Sequence, residues 1–150
     1  MEAYLVQHGE AEPEEKDPER PLSARGRKEV AKVAALLSKS GVRPAEILHS
    51  PKLRAKQTAE ILSSALGVPA SEFQDIRPND DPSIAKDLIS ARGADLMLVG
   101  HLPNLSRLAS LLITGNPGPE TVKFRMGGAV CLVREEKWKV KWMLVPEMAE

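Results

Sequence analysis

Two histidines stand where short apolar runs stop. His8 ends Ala3-Tyr4-Leu5-Val6-Gln7 and is followed by Gly9, and His101 comes directly after Asp95-Leu96-Met97-Leu98-Val99-Gly100. An imidazole can act as a nucleophile, move a proton or ligate a metal at neutral pH. Two arginines belong to the same pattern. Arg54 falls in the first turn of the helix expected after Ser50-Pro51, and Arg20 closes the acidic stretch 10–20 just before Pro21-Leu22. A guanidinium presents forked donors that match phosphate oxygens. The free N–H groups at the helix start near Ser50 favour an anion as well. Two imidazoles and two guanidiniums, with no matching acidic cluster, suit a phosphoryl group. They do not suit zinc, which usually takes three or four ligands from closely spaced residues. The chain has no close His-x-His or His-x-x-x-His pair, and no spacing selects Asp17, Asp80 or Asp81 as a ligand. His49 also ends an apolar run, but it reads as a packing or rim residue and is left out of the site.

These side chains need strands and helices to bring them together. Residues 3–7 read as a short buried strand, and 10–20 as a proline-broken loop. Ser23 caps a helix whose inward face is Val30, Val33, Ala34 and Leu37, and Gly41 ends it. Residues 46–49 form a second strand. Ser50 and Pro51 then serve as N-cap and first helical residue. The following helix buries Ala55, Thr58, Ala59, Leu62 and Leu66 and closes at Gly67. A third strand is expected over 71–76, and a helix capped by Ser83 or Asp81 runs to Ser90. Residues 95–99 are an unbroken apolar run, as in a parallel strand buried on both faces. Pro103 or Asn104 opens a helix facing inward through Leu105, Leu108, Ala109 and Leu112. A turn-rich stretch, 114–121, leads to a hairpin of 128–134 and 137–145 about Glu135-Glu136. Its second arm alternates, so Trp138, Val140 and Trp142 share one face and three lysines the other. Strands alternating with helices predict a three-layer α/β/α fold with a mostly parallel central sheet and an antiparallel C-terminal hairpin. In such sheets ligands sit beyond the carboxyl ends of the strands, where His8 and His101 both fall. Gly9 and Gly100 beside them let backbone approach a ligand closely.

The bulk composition narrows the classes. The 150 residues suit one domain, 1–150, without an interdomain linker. Charge is balanced, with 21 basic against 21 acidic residues. That gives no footprint for nucleic acid or a membrane surface. The single cysteine, Cys131, forms no internal disulfide and fits a reducing compartment. No signal peptide or membrane-length apolar run is seen, so a cytoplasmic location is expected.

Four segments, taken in order, resemble the histidine phosphatase superfamily, with its phosphoglycerate-mutase-like fold. The family's opening Arg-His-Gly reads Gln7-His8-Gly9 here. SPKLRAKQTAEIL at 50–62 matches its Ser-Pro-x-x-Arg-x-x-x-Thr-Ala block, and GHLPNL at 100–105 its second histidine block. DPERPLSARG at 17–26 is similar to the Arg-Pro-Leu element of the SixA-type phosphohistidine phosphatases. The short chain, without long insertions, points to the same type.

The resemblance implies that His8 attacks phosphorus and becomes a phosphohistidine intermediate. Its other ring nitrogen would be oriented by a backbone carbonyl, that of Gly9 or a neighbour. Arg54 and His101 would join it as catalytic groups. The phosphoryl oxygens would be bound by Gln7, Gly9, Arg20, Arg54 and His101, with no metal or other cofactor. Gln7 departs from the family: a neutral amide brings no charge, and losing one such donor costs on the order of a hundredfold in rate. Arg125 or Lys52 is the candidate replacement cation. Asp80 or Asp81 is the candidate proton donor. A phosphohistidine substrate makes a donor less necessary, because the leaving imidazole carries its own proton. The expected partner is therefore a phosphohistidine-bearing protein, such as a phosphotransfer domain. The acidic loop reads as solvated. Two alternatives stand beside this reading. One is a phosphate-binding module made inactive by Gln7. The other is a small-molecule phosphomonoesterase.

Overall fold

The computed structural model describes all of residues 1–150. Strands β1 (Glu2–Gln7), β2 (Glu46–His49), β3 (Ala70–Glu72), β4 (Leu96–Gly100), β5 (Ala129–Arg134) and β6 (Trp138–Leu144) form one sheet, in the order β3-β2-β4-β1-β5-β6. The first four are parallel, whereas β5 and β6 are antiparallel to their neighbours. Helices α1 (Ala24–Lys39) and α2 (Leu53–Leu66) cover one face, and α3 (Pro82–Arg92) and α4 (Asn104–Thr114) the other.

Strand alternation explains the layers. Tyr4, Val6, Ile47, Met97 and Val99 pack with Val33 and Leu37 of α1 and Leu62 of α2. Their neighbours Ala3, Leu5, Leu48, Leu96 and Leu98 pack the other way, with Ile89 of α3 and Leu105 and Leu108 of α4. Successive side chains on a strand point to opposite faces, so a strand covered on both sides must be apolar at every position. This is why 95–99 reads as an unbroken apolar run. The expected three-layer α/β/α arrangement is therefore the observed one. Ser23 caps α1 as expected, its Oγ accepting from the Gly26 N–H at 2.9 Å. Asp81 is the residue that caps α3, accepting from the Ser83 N–H, and the helix continues past Ser90 to Arg92.

Three expectations need correction. β3 has only three residues, 70–72, and does not extend to 76; the chain turns at Gln74-Asp75. Ser50 does not cap α2, and Pro51 is not its first residue. Lys52 occupies the cap position without a side-chain bond, because the Ser50 hydroxyl is turned inward to other partners. Finally, Trp138 and Trp142 lie on opposite faces of the sheet. Cys131 pairs with Trp142 but Leu132 pairs with Val140, leaving Lys141 as an extra residue. Such a bulge inverts the alternation beyond it. Trp142 consequently packs beside Tyr4, with ring centroids 6.0 Å apart, while Trp138 joins the opposite core.

The loop after β1 is pressed against α1 by two glycines. A Cβ on Gly9 would lie 2.7 Å from Val30 Cγ2, and one on Gly26 would run into the Glu10 carbonyl. Gly9 thus serves packing on α1. The expected role of keeping the approach to a ligand open is not what its surroundings require. Gly26→Ala tests this close approach. In an exposed helix interior the change would stabilise by about 1 kcal/mol. Here overpacking reverses the sign, and urea unfolding should show a loss of about 1–3 kcal/mol.

Candidate active site

Parallel pairing levels the strand ends. Gln7 lies opposite Gly100, and the His8 N–H donates to the Gly100 carbonyl at 3.0 Å. The Ser50 N–H donates to the Val99 carbonyl at the same distance on the other side of β4. His8, His101 and Ser50 therefore leave three adjacent strands at one height. The imidazoles of His8 and His101 lie 5.0 Å apart, centroid to centroid, with planes inclined by 53°.

Each imidazole is held by one nitrogen. His8 Nδ1 is 2.7 Å from the Gly9 carbonyl, which can only accept, so Nδ1 carries the proton and Nε2 keeps its lone pair. Burial lowers the His8 pKa to about 4, and the charges of Arg54 and Arg20 add to this. The ring is therefore neutral near pH 7. His101 has Nε2 2.7 Å from Ser50 Oγ, and its Nδ1 is buried without a partner. Burial, then His8 and Arg54, lower its pKa to about 3.

The guanidiniums stand close by. Arg54 is half-buried, and its Nε is shielded from solvent with no acceptor. Burial and the charge of Arg20 both lower its pKa, although an arginine stays protonated. Arg20 has a backbone φ of 51°, a conformation side chains other than glycine seldom adopt. Its N–H bonds the Asp17 carbonyl and its Nε the Glu12 carbonyl, at 3.0 and 3.1 Å. Neither arginine forms an ion pair. Both line a cleft of about 630 Å³ with Lys52 and Lys56, and Glu14, Glu19 and Glu72 line it too. Gln7 is buried at the end of β1, and its Oε1 has no partner. Guanidiniums without carboxylate partners beside a neutral imidazole form an arrangement that can receive a phosphoryl group.

Other expected residues lie elsewhere or are otherwise engaged. Arg125 is bound to Glu29 at 2.8 Å and to Glu147 at 3.1 Å, so it is not a spare cation. Asp80 is held by the Arg77 side chain and N–H, and these bonds lower its pKa. Asp81 is likewise lowered by bonding to Ser83 at the start of α3. Neither carboxyl is kept in the protonated form that a donor needs, which is a correction to their expected role. His49 packs inward, with Nδ1 against the Ser50 carbonyl. No three His, Cys, Asp or Glu side chains are grouped where they could hold a metal ion.

Two hydroxyls, expected only as a helix cap (Ser50) and as part of a buried stripe (Thr58), position the site. Thr58 accepts from the Gly9 N–H at 3.0 Å and donates to the Arg54 carbonyl at 2.8 Å, tying the His8 loop to α2. Ser50 does the corresponding work for His101. The signal was present for Thr58: a hydroxyl on a buried helical stripe must find partners.

An α/β domain with paired imidazoles and guanidiniums beyond its parallel strand ends is suited to holding a phosphoryl group. Residues 3–78 match the model of the histidine phosphatase superfamily (branch 1), and the chain belongs to that family as a hydrolase. It is 36% identical over 126 residues to an uncharacterized protein of Picosynechococcus sp., covering 79% of this chain and 76% of that one. It is 29% identical over 126 residues to phosphohistidine phosphatase SixA of Escherichia coli, covering 79% and 78%. The structure of the protein histidine phosphatase SixA complexed with tungstate superposes with a TM-score of 0.86 at 26% identity, covering 97% of both chains.

The buried imidazoles also make stability depend on pH. Unfolded, each binds a proton near pH 6.5; folded, they resist until about pH 4 for His8 and about 3 for His101. Their contribution is complete above pH 6.5 and is lost as pH falls below it, by about 1.4 kcal/mol per pH unit for each ring. Urea unfolding between pH 7 and 4.5 should show His101→Asn losing less stability on acidification than wild type. Equal slopes would mean that His101 protonates freely in the folded chain.

Proposed function

We propose that this hydrolase removes the phosphoryl group from phosphohistidine on a protein, through a covalent intermediate on His8. The observation that carries the reading is the Nδ1–H bond from His8 to the Gly9 carbonyl. It leaves Nε2 unprotonated beside two guanidiniums that lack carboxylate partners. In the first step Nε2 attacks phosphorus while the substrate's P–N bond breaks. The leaving imidazole keeps its own ring proton. In the second step water attacks the phosphohistidine, inorganic phosphate leaves, and His8 recovers its lone pair. Arg20, Arg54 and His101 bind the phosphoryl oxygens, and the guanidiniums stabilise the charge that spreads over them. The reaction is metal-independent in this reading. The likeness to SixA supports the substrate class, and a protein histidine phosphatase SixA of similar fold forms a complex with tungstate, an oxyanion. The state of Asp80 and Asp81 supports it too. With both held as carboxylates, a leaving group that needs no protein acid is favoured over an alkoxide. A cytoplasmic location belongs to the same proposal, supported by the lone buried thiol of Cys131.

The test is the loss of label from a phosphohistidine-bearing phosphotransfer domain, in chelator, with sugar phosphates run alongside. Wild type should clear the label and His8→Ala should not. Arg54→Ala should be slower by about a hundredfold or more. Quenching wild type in alkali should trap label on His8. Binding of phosphate without turnover would make the chain a binding module. Faster turnover of sugar phosphates would make it a small-molecule phosphomonoesterase.

A further inference from the structure

We propose that Lys52 supplies the positive charge that Gln7 does not, binding a phosphoryl oxygen from the cleft it shares with Arg20 and Arg54. This rests on the reading of the site as a phosphoryl pocket. Gln7 ends β1 directly before His8, and its buried Oε1 has no donor. An amide there can share a hydrogen bond with the ligand but cannot neutralise it. The site therefore has two guanidiniums to meet the charge of a bound phosphoryl group.

Lys56 also lines the cleft without an ion pair, but its charge is not among those acting on His8 or His101, and two further cations are committed elsewhere. Arg125 is tied to Glu29 and Glu147, and Arg77 to Asp80. Lys52 is not. Its ammonium makes no ion pair, although Glu14, Glu19 and Glu72 line the same cleft. It shares that cleft with Arg20 and Arg54, and its charge acts on the His101 ring. The backbone places it firmly. Lys52 has extended backbone angles, φ −65° and ψ 138°, just ahead of α2. Its N–H donates to Ser50 Oγ at 3.3 Å, the same oxygen that holds His101 at 2.7 Å. One hydroxyl thus sets both the imidazole and the start of the lysine. His101 Nδ1 is itself buried and unpartnered.

A double-mutant cycle tests the inference. Lys52→Gln, Gln7→Arg and the double variant are compared in tungstate affinity and in kcat/KM on the phosphohistidine domain. Lys52→Gln should weaken tungstate binding about tenfold and lower kcat/KM by roughly a hundredfold. In the Gln7→Arg background the same change should cost about threefold or less, because arginine restores the charge. Lys52→Arg should retain most of the wild-type affinity. Equal losses in both backgrounds would overturn the compensation, and so would no loss in the wild-type background. The two readings fail separately. Turnover that ignores Lys52 removes this inference and leaves the phosphatase. Lys52-dependent tungstate binding without turnover removes the phosphatase and leaves the oxyanion contact. A wild-type chain that does not bind tungstate removes both.

Discussion

Parallel hydrogen bonding of β1 and β2 to β4 is the constraint on which the site depends. It ends three strands at one level and leaves His8, His101 and Ser50 side by side, although 93 residues separate the two histidines in sequence. Everything chemical follows from that register. A slip of one residue would turn His8 to the opposite face of the sheet and replace Leu5 or Val6 in a packed core. The apolar alternation of β1 and β4 between two helical layers makes such a slip costly, so the core fixes the geometry of the chemistry.

Burial then decides protonation. Imidazoles at the surface would be partly charged at neutral pH, whereas these are enclosed and faced by guanidiniums. Both effects favour the neutral ring. The Gly9 carbonyl selects which nitrogen of His8 keeps the proton. Desolvation, charge and one hydrogen bond thus point the same way. The folded chain also holds Arg20 and Arg54 close together, neither in an ion pair with a carboxylate. That repulsion opposes folding, and a bound oxyanion relieves it. A site left electrostatically unbalanced is suited to an anionic ligand, at some expense in stability.

Two buried hydroxyls transmit the core's rigidity to the site. Thr58 joins the Gly9 amide to the Arg54 carbonyl, so the His8 loop and the first turn of α2 are hydrogen-bonded through one side chain. Ser50 joins His101 to the Lys52 amide at the other edge. The chain therefore spends small polar residues where apolar ones would pack equally well. Each hydroxyl satisfies two partners, and hydrogen bonds between buried groups are directional in a way that packing is not.

The strand and helix order, the burial of 95–99 on both faces, and the gathering of His8, His101, Arg20 and Arg54 into one group were legible from residue type and spacing. Local patterns carry that information: an apolar run, a cap, a polar residue where the run ends. The start of α2 was misread because Ser50 is a good cap in isolation, and only the nearness of His101 turned its hydroxyl inward. The two tryptophans of β6 were misplaced because a bulge is a property of paired strands, not of one strand's alternation. Asp80 and Asp81 looked free until Arg77 and the α3 N–H groups were seen to hold them. The sequence by itself determined the elements, the fold class and the chemical types brought to the strand ends. Tertiary structure alone decided protonation states, partners and which cations remain free, because burial and pairing depend on residues far apart in the chain.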